Sequence, residues 1–164
     1  MTDENLCDFR GVNISESLHG VEVVDADFSF GEMFTGQLVG SFANCRFRGC
    51  RYEGCVSKRF GKCDFSAANL TRCVLDGEFE DCSFIGTNFN HARGAQLRFT
   101  SCAFAKASFR GSAFYDAIFR RCSFEACEFN GGSLAGSTFV ECEFETVSVI
   151  DMSLNRVTGF VAGE

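Results

Sequence analysis

Large apolar side chains recur along this chain at every fifth position. Phe84, Phe89, Phe99, Phe104, Phe109, Phe114, Phe119, Phe124, Phe129, Phe139 and Phe144 share one register, with Leu134 substituting once and Gly94 breaking it once. Two residues ahead of each stands a small side chain, as at Cys82, Cys102, Ala107, Ser112, Ala117, Cys122, Cys127, Gly132, Ser137 and Cys142. A period of five fits neither a helix, whose faces recur every 3.6 residues, nor a strand, whose faces recur every two. It suits a chain that runs extended for one short side and then turns a corner. Two of five side chains then point inward, and four sides close a coil of about 20 residues.

The same pattern extends upstream with interruptions. It begins at Cys7 and Phe9, passes Ile14, and after a slip of one residue continues through Leu18, Val23, Phe28, Met33 and Leu38. A second slip gives Phe42, Phe47, Tyr52 and Ser57; a larger adjustment leads to Phe65, Leu70 and Leu75, and a further slip enters the long register at Phe79. Eight residues separate Ser57 from Phe65, so Val56–Lys62 is expected to be a projecting loop or a bulge. Residues 1–27 read as an N-terminal cap with the first coils, 79–154 as the most regular coils and 147–164 as a C-terminal cap, all within a single domain, 1–164. Phe30, Phe34 and Phe160 fall outside the register, and the first two are expected to point outward.

Pentads such as Cys-Asp-Phe-Ser-Ala (63–67), Ala-Asn-Leu-Thr-Arg (68–72) and Cys-Glu-Phe-Asn-Gly (127–131) resemble the repeats of the pentapeptide-repeat family. That resemblance implies an all-β fold, a right-handed quadrilateral β-helix of about 7–8 coils at ~4.8 Å per layer. It also implies that the large residue and the small one two places before it face inward. Phe84, Phe99, Phe104, Phe119, Phe124, Phe139 and Phe144, with Cys82, Cys102, Cys122 and Cys142, then form the structural core.

The resemblance changes how the 11 Cys are read. Each stands two residues before an expected central position, where a thiol serves as a compact apolar side chain. No Cys-x-x-Cys pair occurs, so neither a metal nor any other cofactor is expected. All the thiols are expected to be reduced and shielded, in a cytoplasmic protein, since the N-terminus is acidic and lacks an apolar targeting run. No stretch approaches the ~20 apolar residues of a membrane span.

With the core assigned, function must reside on outward positions. His19 and His91 have no nucleophile beside them, and no catalytic residues are expected. Charge is banded: residues 1–40 hold eight acidic and one basic side chain, 41–75 two and seven, 76–164 twelve and seven, which sums to the net −7. The candidate basic band is Arg46, Arg48, Arg51, Lys58, Arg59 and Lys62; the candidate acidic surface is Glu78, Glu80, Asp81, Glu141, Glu143 and Glu145. The family includes proteins that bind DNA gyrase as duplex mimics, and the Cys-x-Phe core resembles that branch. The alternative is a scaffold or targeting module that presents a rigid face to another protein. Either way the partner is a protein, with no direct nucleic-acid binding. A 35 Å duplex carries roughly 20 charges at one per ~1.7 Å, so mimicry needs carboxylates gathered on one face. The apolar tail Val149, Ile150, Leu154, Val157, Phe160 and Val161 is expected either to lid the last coil or to pair two copies through the C-terminal edge; monomer and dimer both stay open.

Overall fold

Each pentad forms one side of a four-sided coil, and successive coils stack as parallel ladders. The computed structural model describes residues 6–13, 18–33, 37–52 and 54–161. These build an all-β solenoid of about seven turns, with no helix among the described residues. Four faces run its length. Face I is centred on Phe9, Phe28, Phe47, Phe65, Phe84, Phe104, Phe124 and Phe144. Face II carries Met33, Tyr52, Leu70, Phe89, Phe109, Phe129 and Val149. Face III carries Leu18, Leu38, Val56, Leu75, Gly94, Phe114, Leu134 and Leu154. Face IV carries Val23, Phe42, Phe60, Phe79, Phe99, Phe119 and Phe139.

The core is a stack of rings. On face IV, Phe99 lies parallel to Phe119 at 5.0 Å and Phe119 to Phe139 at 4.6 Å; on face I, Phe104 lies parallel to Phe124 at 4.9 Å. Rings of neighbouring faces meet edge to face, as Phe119 meets Phe124 at 5.5 Å. Burying each ring stabilises by about 1.5–3 kcal/mol, and favourable ring geometry adds roughly 0.5–1.5 kcal/mol.

Corners are made by residues in the left-handed region. One corner column reads Asn44, Lys62, Asp81, Ser101, Arg121 and Glu141, each with φ of 52° or 53° and none of them Gly. A left-handed residue with a Cβ costs about 1–2 kcal/mol. Coil-to-coil hydrogen bonds offset that cost: the Lys62, Asp81 and Ser101 N–H groups donate to the carbonyls of Glu80, Thr100 and Arg120 at 2.8–2.9 Å.

The small inward slot does more than save space. On face I it holds Cys45, Cys63, Cys82, Cys102, Cys122 and Cys142 in six consecutive coils. Their thiols donate to carbonyls of the coil before, as Cys63 does to Phe42, Cys82 to Phe60 and Cys102 to Phe79 at 3.3–3.4 Å. Thr87 and Ser137 make the same bond to Phe65 and Phe114. The slot therefore selects a small donor, which adds a hydrogen bond to a buried carbonyl of the coil before. Cys7 departs from the expected burial: it sits in the first of the described coils and is exposed. Cys142, near the other end, is half-buried.

The stretch Val56–Lys62 is not a loop. Strands β1 (Leu18–Val24), β2 (Gln37–Ala43), β3 (Cys55–Gly61) and β4 (Val74–Glu80) run across faces III and IV without a break and pair in order. In β2, β3 and β4 one residue is missing at the corner, so Gly40, Lys58 and Gly77 stand at the corner in the register of the inward slot, with the Lys58 side chain turned out and exposed. Register puts Val56, not Ser57, above Leu38 and below Leu75, and puts Cys55 beside Gln37 and Val74 rather than in the small slot. The side chains of Cys55 and Ser57 lie outside the described residues. Face IV continues through β5 (Arg98–Thr100), β6 (Ile118–Arg120) and β7 (Thr138–Val140).

At the C-terminal end Phe160 stands edge-on to Phe129, Phe139 and Phe144 at 4.9–5.5 Å, and Val147, Val149, Met152 and Val157 pack partly buried against the core. Phe160 and these side chains thus cover the last coil, while Ile150, Leu154 and Val161 remain exposed. Phe30 points outward, two-thirds exposed, with its ring against Gly49; Phe34 lies outside the described residues.

Candidate interaction surface

In every pentad the residues flanking the central one point outward, so each face carries columns of side chains one coil apart. The basic band proves to be a girdle. Arg46 and Arg48 lie on face I, Arg51 on face II, Lys58 at the corner between faces III and IV, Arg59 on face IV and Lys62 at the next corner, all in one coil. Its charges engage acids of the coils above and below. Arg46 pairs with Asp27 at 3.9 Å, Arg48 with Asp64, and Arg59 with Glu78 at 3.3 Å. An exposed pair such as Arg59–Glu78 contributes about 0–1 kcal/mol.

The acidic candidates fall into two groups. Glu78 and Glu80 lie on face IV with Asp81 at its corner, in the Phe79 coil. Glu143 and Glu145 lie on face I, with Glu141 at the corner before them, three coils further along. Between the groups, in the same columns, stand Arg98, Arg120 and Arg121, all exposed. Below the first group stand Arg59 and Lys62. The six carboxylates therefore share no continuous face.

Face I has a different character. At its N-terminal end Arg10 closes on Asp8, and its hydrogen bond holds the Asp8 carboxyl down at about 2. Further along, burial raises Asp64, but hydrogen bonds from Ser66 and the Arg48 guanidinium outweigh it and hold the carboxyl below its ordinary range. Beyond Asp64 the face turns small and uncharged, through Ser66, Ser83, Ala103 and Ala105. Ile85 stands near half exposed at its centre, and Phe30 stands at the corner toward the N-terminal end. Nothing in the spacing of polar residues announced this patch, because Ile85 occupies an ordinary outward slot.

His19 is exposed, and His91 sits at a left-handed corner with its ring against Gly111. Among the described residues no three His, Cys, Asp or Glu side chains converge in a way that would hold a metal ion. Among the described residues no helix is long and apolar enough to cross a membrane.

Comparison with known proteins agrees with this architecture. Residues 97–158 match the family described as the pentapeptide repeat region. HetL, a pentapeptide repeat protein involved in heterocyst differentiation regulation in the cyanobacterium Nostoc, superposes with a TM-score of 0.59 at 9% identity, over 93% of this chain and 86% of its own. QnrB1, a plasmid-mediated fluoroquinolone resistance protein, aligns over 92% of this chain and 84% of its own at 13% identity, with a TM-score of 0.38. Such identities speak to fold alone. No curated protein matches significantly.

Proposed function

Since this chain belongs to the pentapeptide-repeat proteins, we propose that it works without chemistry of its own, as a rigid scaffold that docks another protein on face I. The observation that carries this reading is the interleaving of charge. A duplex mimic needs an unbroken run of negative charge at phosphate-like density. Here Glu78 stands between Arg59 and Arg98 in its own column, Asp81 stands next to Lys62 with Arg121 two coils further along, and Glu80 lies between the uncharged Gly61 and Thr100. Binding to gyrase in place of DNA is therefore the less favoured of the two readings.

Face I offers what a protein partner uses: an exposed apolar anchor, Ile85, within a flat uncharged stretch of Ser66, Ser83, Ala103 and Ala105, with Arg48 and Asp64 between that stretch and a second exposed apolar side chain, Phe30. The flatness follows from the small side chains, and the rigidity from the stacked core.

The two readings separate in one set of measurements. Purified protein at micromolar concentration is expected to leave DNA supercoiling by gyrase, and quinolone-induced cleavage, unchanged. Inhibition that disappears on Glu78→Gln with Glu80→Gln would establish duplex mimicry instead. In cells, a photo-crosslinking residue at Ser66 is expected to capture one protein reproducibly, with capture lost on Phe30→Ala and Ile85→Asp. Capture that survives both substitutions would move the docking surface off face I.

A further inference from the structure

We propose that face IV is a self-complementary surface on which a second copy of this chain docks antiparallel, about a twofold axis lying in the interface between the Phe60 and Phe79 coils. This goes beyond the scaffold reading and uses a different face.

The argument is one of register. Along face IV the outward charge differs from coil to coil. The Val23 coil presents Glu22 and Asp25, and the Phe42 coil only Ser41, Ala43 and Asn44. The Phe60 coil presents Arg59 and Lys62, and the Phe79 coil Glu78, Glu80 and Asp81. The Phe99 coil presents Arg98, and the Phe119 coil Arg120 and Arg121. All of these charged residues are exposed except Asp25, which is half-buried.

A twofold axis in the interface plane and perpendicular to the rod reverses coil order but keeps each column opposite its own counterpart. With the axis between the Phe60 and Phe79 coils, Arg59 faces Glu78 of the second copy and Lys62 faces its Asp81. One step further out, the neutral Phe42 coil faces the Phe99 coil, and Arg98 enters over Ser41 and Ala43, where the face forms a shallow trough. At the outer edge Asp25 faces Arg121. Each contact occurs twice, as an isologous interface requires.

The competing arrangements fail on charge. Side-by-side parallel docking puts every coil against its own copy, so Glu78, Glu80 and Asp81 meet themselves. Moving the antiparallel axis up half a coil, onto the Phe79 coil, does the same. A placement between oppositely charged coils removes like-charge opposition at the centre, and of these the Phe60/Phe79 placement is flanked by a neutral coil and closed by Asp25 with Arg121.

Six coils at ~4.8 Å give a contact about 29 Å long and one strand-face wide. Such an interface is small, so the dimer belongs to the weak, transient class and depends on ionic strength. The Arg59–Glu78 pair within one copy does not prevent it, because both side chains are largely exposed and the pair can be shared across the axis.

Sedimentation of the full chain tests the proposal. Dimer is expected at low salt, with its dissociation constant rising at least ~10-fold between about 0.05 and 0.5 M salt. Arg59→Glu with Lys62→Glu should give a monomer, as should Glu78→Lys with Asp81→Lys, each keeping its β circular dichroism because all four positions are outward. Mixing the two variants should restore a one-to-one dimer. A wild type that stays monomeric at low salt overturns the proposal. So does a dimer that survives both charge reversals, which would place the contact at the C-terminal edge. Reversal variants that fail to pair when mixed would overturn the axis assigned here.

Discussion

Gly94 and Leu97 show how strictly the core volume is kept. Where the register calls for a large residue the chain has Gly94, and in the small slot that follows it has Leu97, fully buried. A Cβ at Gly94 would lie 2.6 Å from a methyl of Leu97. The two positions have exchanged sizes, so the coil keeps its volume while breaking the pattern. Truncating either kind of inward residue leaves a cavity that neighbouring coils cannot close, since each is fixed by its own ladder. Leu97→Ala is expected to cost about 2–5 kcal/mol and Phe119→Ala about 3–5 kcal/mol. Urea melts decide: a loss under ~1 kcal/mol for Phe119→Ala would be incompatible with its place between Phe99 and Phe139.

At the scale of the strand, the shortened corners are what hold β2, β3 and β4 as continuous elements. Merging corner and inward slot into one residue leaves no room for a side chain facing the coil below. Gly77 has φ of +126°, outside the ordinary left-handed well, and a Cβ there would run into the carbonyl of Lys58. Gly77→Ala is therefore expected to lower stability by about 1–3 kcal/mol. Gly61, in β3, has open space where its Cβ would be. Gly61→Ala serves as the reference, and thermal melts of the two should separate clearly. Equal melting temperatures would mean that the merged corner tolerates a side chain.

For the whole molecule, each coil touches only its neighbours, so stability is close to a sum of interface terms. The buried thiols add a pH dependence distributed along the rod. Burial pushes Cys127 from 9.0 up to about 11, and burial likewise raises Cys50. In the unfolded chain these thiols ionise near 9.0, whereas the folded protein keeps its protons to higher pH. Between those values the unfolded state binds fewer protons, so stability falls as pH rises. The contribution is complete below pH 9.0 and is lost on passing through the folded value. Denaturant midpoints are expected to hold steady from neutral pH to about 9 and then to decline, with a shallower decline for Cys127→Ala. A midpoint that does not change up to pH 11 would contradict the burial of these groups.

The sequence alone determined the period, the ring stack and the identity of the inward residues in the long register. Phe84 through Phe144 could be placed because inward and outward positions are fixed locally, by where a short extended side must turn. It did not determine which residue stands over which in the N-terminal coils. There the repeat contracts: Phe42 to Phe60 is 18 residues and Phe60 to Phe79 is 19, against 20 from Phe79 to Phe99. Each dropped residue re-indexes everything stacked above it, which is why Val56 replaces Ser57 and why a strand stands where a loop was expected. Burial of Cys7 depended on a coil stacked beneath it, and among the described residues Cys7 lies in the first coil. The charged surface was legible as bands, since a band is a property of consecutive residues. That Arg98, Arg120 and Arg121 divide Glu78, Glu80 and Asp81 from Glu141, Glu143 and Glu145 is a property of columns. Columns exist only once the coils are stacked, because the distance between two charges is then set by coil count and face rather than by separation along the chain.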